Sequence, residues 1–200
     1  MKFMKKIGIF GGTFNPVHNG HLNLLRQVQN EMQFDELLLI PSYLPPHKEA
    51  PDLISGSDRL KMLALAVEDM PEAGVCDVEL HKTGKSYTID TLRKLRRIFP
   101  TAEFYFIVGT DMLLTFDQWK QWRDILKLTF LVASGRDDGE YERLVEKANK
   151  LNRERIIVLK TEPVPVSSTE IREKLKEGED VSELLPPKVL CYIQKKGLYQ

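Results

Sequence analysis

The chain has 200 residues, 42% of them apolar and 29% charged, and its 29 basic and 29 acidic side chains cancel. That length and mixture suit one globular domain able to bury a full core. Zero formal charge argues against nucleic acid or an anionic membrane as partner. No run approaches membrane-spanning length, no N-terminal stretch has signal-peptide form, and Cys76 and Cys191 make no recognisable framework, so a cytoplasmic protein with two reduced thiols is expected.

The first apolar run, 7–10, predicts a short buried strand ended by Gly11 and Gly12. After a turn containing Pro16, a helix begins near Gly20 and covers 22–32, with Leu22, Leu25, Val28 and Met32 on one face. Residues 37–40 form a continuous apolar strand, as expected where both faces are covered, and Pro41 stops it. The loop 42–57, with Pro45, Pro46 and Pro51, is long enough to suggest a lid. A helix is expected over 58–70, extended chain over 75–80, and a helix over 89–99 with Thr88 as its N-cap. Strands follow at 104–108 and 129–133, a helix at 141–151 and a strand at 156–159. Two short helices close the chain, 169–176 and 187–196, the second ended by Gly197.

Strands alternating with helices imply parallel units with right-handed crossovers. The expected fold is α/β: a Rossmann-like, doubly wound parallel sheet forming one domain over 1–200, with a small C-terminal helical segment at 167–200. Ligands in such sheets bind beyond the carboxyl ends of the strands. The unusual residues cluster there: 11–21, the loop with His47 and Lys48, Gly109-Thr110-Asp111, Ser134-Gly135-Arg136, and 166–172.

A strand, a glycine turn and a helix N-terminus make an anion site, because backbone N–H groups approach a phosphate without a Cβ in the way. The glycine spacing is neither G-x-G-x-x-G nor G-x-x-x-x-G-K-[ST]. Gly11 and Gly12 also suit a turn that needs glycine for backbone reasons alone. His18 and His21, three apart, add donors on the first turn of the helix. A metal pair is the other reading, although no nearby Cys or carboxylate completes a ligand set. Ser167-Ser168-Thr169 reads both as an N-cap with Glu170 in the first turn and as a second phosphate cradle. Arg172, three residues on, reaches back to a phosphate or lies solvated.

Gly11-Gly12-Thr13-Phe14-Asn15-Pro16 with His18-Asn19-Gly20-His21, paired with Ser167-Ser168-Thr169-Glu170-Ile171-Arg172, resembles the nucleotidyltransferase superfamily with HxGH and ISSTxxR signatures. The likeness covers nearly the full length. Within that superfamily the chain resembles the bacterial nicotinate-nucleotide adenylyltransferase family through Pro45-Pro46-His47-Lys48, Ser86-Tyr87-Thr88-Ile89-Asp90-Thr91, Gly109-Thr110-Asp111, Trp119-Lys120-Gln121-Trp122, Tyr192-Ile193 and Leu198-Tyr199. Val166 stands where isoleucine is usual. Lys120 stands where relatives often have tyrosine, at a position thought to act through its backbone.

The resemblance implies transfer of the adenylyl group of ATP to nicotinate mononucleotide, giving deamido-NAD and pyrophosphate. The substrate's own phosphate attacks, so catalysis rests on positioning and charge stabilisation. It implies His18, His21, Lys48 and Arg172 as catalytic residues. It implies Gly11, Gly12, Thr13, Phe14, Gly109, Asp111, Arg136, Ser167, Ser168 and Thr169 at ATP, with Mg²⁺ on the phosphates and no dedicated protein metal ligands. Tyr87, Thr88 and Trp119 are expected at the pyridine ring, and Arg59 at the substrate phosphate. Core packing is the other reading of Trp119 and Trp122. A related transferase with another acceptor, or a nucleotide-binding regulator on the same fold, remains open, as does a homo-oligomer.

Overall fold

The structure, a computed structural model, describes residues 4–43, 52–81, 86–135 and 137–200. Six parallel strands form the sheet: β1 (Lys6–Gly12), β2 (Glu36–Pro41), β3 (Ala73–Val75), β4 (Glu103–Val108), β5 (Phe130–Gly135) and β6 (Ile156–Lys160), in the order β3-β2-β1-β4-β5-β6. The expected doubly wound α/β sheet is therefore present. The order reverses beside β1, which pairs with β2 on one side and β4 on the other. That reversal opens a crevice at the carboxyl ends of β1 and β4.

Side-chain alternation assigns the helices to faces. Phe10, Leu37, Leu39, Tyr105, Ile107 and Val132 point into one core, shared with α1 (Asn19–Met32), α2 (Gly56–Ala66), α7 (Ser168–Glu177) and α8 (Pro187–Lys196). Ile7, Ile9, Leu38, Ile40, Phe104, Phe106 and Leu131 point into the other, shared with α3 (Thr88–Ile98), α4 (Thr110–Leu114), α5 (Trp122–Leu128) and α6 (Asp138–Leu151). Strands buried on both faces account for the unbroken apolar runs of β2 and β4. Because α7 and α8 return to the face of α1, the two ends of the sequence meet.

Several boundaries differ from the sequence expectations. The second helix starts at Gly56, where the Ser55 hydroxyl accepts from the Asp58 N–H, and ends at Ala66. The loop expected to run to Ser57 thus yields its last residues to a capped helix. Extended chain over 75–80 is a three-residue strand ending at Val75, with Leu80 N–H donating to the Asp77 carbonyl in a turn. Tyr87, not Thr88, is the N-cap of α3. Helices α4 and α5, with a 3-10 turn at Phe116–Gln118 between them, were not expected, since each is too short for a periodic pattern. Among the described residues no helix is long and apolar enough to cross a membrane.

Candidate active site

The turn between β1 and α1 lies at the sheet's reversal. His18 is the N-cap of α1 in extended conformation, and its backbone N–H donates to His21 Nδ1 over 3.2 Å. Accepting there leaves the proton of a neutral His21 on Nε2, so Nε2–H is the donor the ring offers. The two rings lie against each other, tilted by 33°, with centroids 3.7 Å apart. Burial lowers the His18 ring to about 4, and burial together with His18 holds His21 well below the usual histidine range. Both rings are neutral donors near pH 7. His18 Nδ1 is buried and has no partner among the described residues.

The glycines carry more than phosphate approach. A Cβ on Gly12 would meet the Phe14 ring at 2.9 Å. Phe14 takes a positive φ of 50° and is 1% exposed, its ring edge-on to His21 at 5.1 Å between centroids. Phe14 therefore supports His21 from inside, and only its backbone can face a nucleotide. A Cβ on Gly20 would lie 2.8 Å from Val166 and 3.1 Å from His18 Nδ1. That close approach seats the start of α1 against the chain entering α7.

Buried polar side chains staple this turn in place. Arg59, 1% exposed, donates Nη1 to the carbonyls of Thr13 (2.8 Å) and Ser42 (2.6 Å) and Nε to that of Ile54 (3.3 Å). It is thus committed to backbone carbonyls at the place where a substrate-phosphate contact was expected. Asn15 donates Nδ2 to the Asp52 carbonyl, and its Oδ1 accepts from Ile54 N–H and from the Tyr199 hydroxyl, the latter over 2.9 Å. Arg172 donates Nη1 to the carbonyls of Asn15 (2.9 Å) and Ser168 (3.0 Å), while its buried Nε has no partner among the described residues. The Ser168 hydroxyl donates to the Pro16 carbonyl over 2.9 Å. Its single proton is used there, so in this arrangement Ser168 is a staple rather than a phosphate donor. Ser167 caps α7 by accepting from Glu170 N–H, and the exposed Thr169 hydroxyl lies 3.5 Å from Arg172. Asn15 and Tyr199 escaped the sequence reading as polar ties. Only the placement of α8 and the C-terminal turn reveals them.

Across the crevice, Gly109 caps α4 with open space around the position of a Cβ, and Asp111 is exposed. Thr110 ties this corner to β5 by donating to the Ser134 carbonyl over 2.9 Å. Farther along, Trp119 and Trp122 are both half-buried against Phe116, and Trp119 also meets Phe106 edge-on. Tyr87 and Thr88 are half-buried at the start of α3. The structure thus brings together His18, His21, the glycine turn, the α7 start and Arg172. Lys48 and Arg136 lie outside the described residues. Among the described residues no group of three or more His, Cys, Asp or Glu side chains can hold a metal ion.

Fold and site define a class: a doubly wound α/β protein whose switch-point crevice is flanked by the N-termini of α1 and α7 and a pair of neutral histidines. Residues 9–174 match the cytidylyltransferase-like family. The chain is 38% identical over 199 residues to a protein of Lachnoclostridium phytofermentans, covering 98% of this chain and 100% of that one. It is 41% identical over 196 residues to one of Enterococcus faecalis, covering 98% and 85%. Both carry the description "Probable nicotinate-nucleotide adenylyltransferase". A solved structure of the Plasmodium falciparum nicotinic acid mononucleotide adenylyltransferase complexed with NaAD shares the fold at TM-score 0.80 and 21% identity, over 98% of this chain and 97% of that one. The chain belongs to the cytidylyltransferase-like family and, within it, to the nicotinate-nucleotide adenylyltransferases.

Proposed function

We propose that this protein joins nicotinate mononucleotide to the adenylyl group of ATP, forming deamido-NAD and pyrophosphate, as a step of NAD biosynthesis in the cytoplasm. The observation that carries the reading is the meeting of the His18/His21 turn with the start of α7 and Arg172 at the switch point. A phosphate oxygen of the mononucleotide attacks the α-phosphorus of ATP, and the bond to the bridging oxygen of pyrophosphate breaks. No protein nucleophile is required, so the enzyme acts by alignment and by donors aimed at developing charge.

His18 and His21 donate to the α- and β-phosphates as neutral rings, consistent with their depressed basicity. The backbone of Gly11, Gly12, Thr13 and Phe14 lines the turn, and Gly20 keeps the α1 N-terminus open. Ser167, Thr169 and Arg172 hold the triphosphate from the α7 side, with Ser168 fixing that side to the turn. Lys48, from the loop after β2, adds a cation. Gly109, Asp111 and Arg136 take the adenosine. Trp119 stacks on the pyridine ring, with Tyr87 and Thr88 at its carboxylate. Mg²⁺ enters with the nucleotide, as befits a hard cation bound chiefly by phosphate and water.

The deciding experiment supplies Mg-ATP with nicotinate mononucleotide, nicotinamide mononucleotide or phosphopantetheine and measures pyrophosphate. Release with the first substrate is expected. Its absence overturns the reading, and release only with another acceptor moves the chain to a related transferase.

A further inference from the structure

Three carboxamides, Asn19, Asn23 and Gln27, recur every fourth residue of α1 and so share one stripe of it. All three bind backbone from elsewhere in the chain. Asn23 Nδ2 and Gln27 Nε2 donate to the Glu162 carbonyl over 2.6 and 2.8 Å, and Gln27 Oε1 accepts from the Glu162 N–H over 2.8 Å. The Gln27 carboxamide thus pairs with Glu162 as a neighbouring strand would, and the carbonyl uses both of its lone pairs. Asn19 Nδ2 donates to the Glu183 carbonyl over 2.9 Å, so the same stripe also holds the connection from α7 to α8. Residues 162–165 are exposed, and among the described residues no other hydrogen bond reaches the backbone of 162–166. This stretch is nevertheless stiff by composition. Pro163 and Pro165 fix their own φ and hold Glu162 and Val164 out of the helical region. Anchoring one end therefore places the other. That other end is Val166, seated against Gly20, followed by Ser167 and the start of α7.

We propose that Gln27, supported by Asn23, is a positioning residue for adenylyl transfer: by gripping Glu162 it sets, through the proline-stiffened stretch, where the start of α7 and Arg172 stand relative to His18 and His21. The inference rests on the adenylyltransferase reading above. Gln27 lies about 9 Å along the α1 axis from His21, so it acts through the stretch it holds and not on substrate. Because α1 carries both side chains, one rigid helix aligns the α7 start with the histidine turn. The bond from Ser168 to the Pro16 carbonyl fixes one point of that alignment, and the Glu162 anchor fixes a second. Two points set an orientation where one sets only a distance. A misplacement of about 1 Å between reacting groups can lower a rate by about 10²-fold.

The test measures kcat, the KM of each substrate and the melting temperature in the wild type, Gln27→Met, Asn23→Ala/Gln27→Met and Pro163→Gly/Pro165→Gly, the last alone and combined with Gln27→Met. Gln27→Met keeps the length of the side chain and removes both of its bonds to Glu162. The expected result is a kcat roughly five- to tenfold lower and a raised KM for Mg-ATP, with the KM for nicotinate mononucleotide within about twofold of wild type. Asn23→Ala/Gln27→Met falls at least as far. Loosening the stretch with glycine gives the same pattern with the anchor intact, and adding Gln27→Met then lowers kcat by less than about twofold. A kcat within about twofold of wild type in both anchor variants overturns the proposal. So does a full further loss in the glycine background, or a lower melting temperature with the kinetics unchanged. Each of these leaves the adenylyltransferase reading intact. A wild type that releases no pyrophosphate with nicotinate mononucleotide removes the reading beneath it and the proposal with it.

Discussion

Around the turn between β1 and α1, side chains from the turn itself (Asn15), from α2 (Arg59) and from α7 (Ser168 and Arg172) donate to backbone carbonyls. Elsewhere, the Lys120 ammonium lies over the Tyr87 ring, and Trp119 packs against Phe106 and Phe116. The first region is a buried polar network, in which each bond strengthens its neighbours and an unmade one is costly. The second is half-exposed and loosely tied. The contrast fits the roles proposed for the two regions. In-line displacement at phosphorus tolerates little error in position, whereas recognition of a ring and its substituent needs a face and a charge.

Breaking the reaction end should cost most. His21→Ala removes a donor while Phe10 and Phe14 still fill the space around it, so turnover should fall at least tenfold and toward about 10²–10³-fold, with the melting temperature little changed. Unchanged turnover would remove His21 from the mechanism. Arg59→Met leaves three carbonyls without their donor, and the urea midpoint should register a loss of about 2–4 kcal/mol. Full stability with a raised KM for nicotinate mononucleotide would instead return Arg59 to the substrate phosphate.

Acid should loosen the same region. A free histidine gains its proton near 6.5, but the folded His18 ring gains it only near about 4. The unfolded chain therefore binds more protons between those values, and stability falls as pH drops from 6.5 toward 4, by about 3 kcal/mol for His18 alone. Above 6.5 this contribution is flat. His18→Gln should flatten the slope in acid denaturation, and an unaltered slope would place its origin elsewhere. The smallest effect is expected from Tyr199→Phe, which deletes one of the bonds to Asn15 and should cost about 1 kcal/mol with a few-fold drop in kcat. A loss of stability with kcat untouched would make Tyr199 a packing residue only.

The repeating pattern of apolar strand and amphipathic helix made the sheet legible, because strands covered on both faces must be apolar throughout. The meeting of Gly11-Gly12, His18, His21 and Arg172 at one place was legible for a different reason: each follows a strand end or opens a helix, where a doubly wound sheet gathers such segments. Short elements such as α4 and α5 escaped, since five or seven residues hold too little period to read. The destinations of Ser168 and Arg59 escaped as well. A hydroxyl or a guanidinium names a donor, and only the fold decides whether a carbonyl has already taken it.

Local rules, acting within a few residues, thus determined the α/β class, the capped starts of α6 and α7 and the glycine turn that leads into α1. Tertiary structure decided the strand order that opens the crevice beside β1, and the return of α7 and α8 to the face of α1. It also decided the bond from Tyr199 to Asn15, 184 residues apart, and the seat of Lys120 over Tyr87. Contacts across such separations depend on how packed faces meet. No stretch of sequence carries that information until the core has closed.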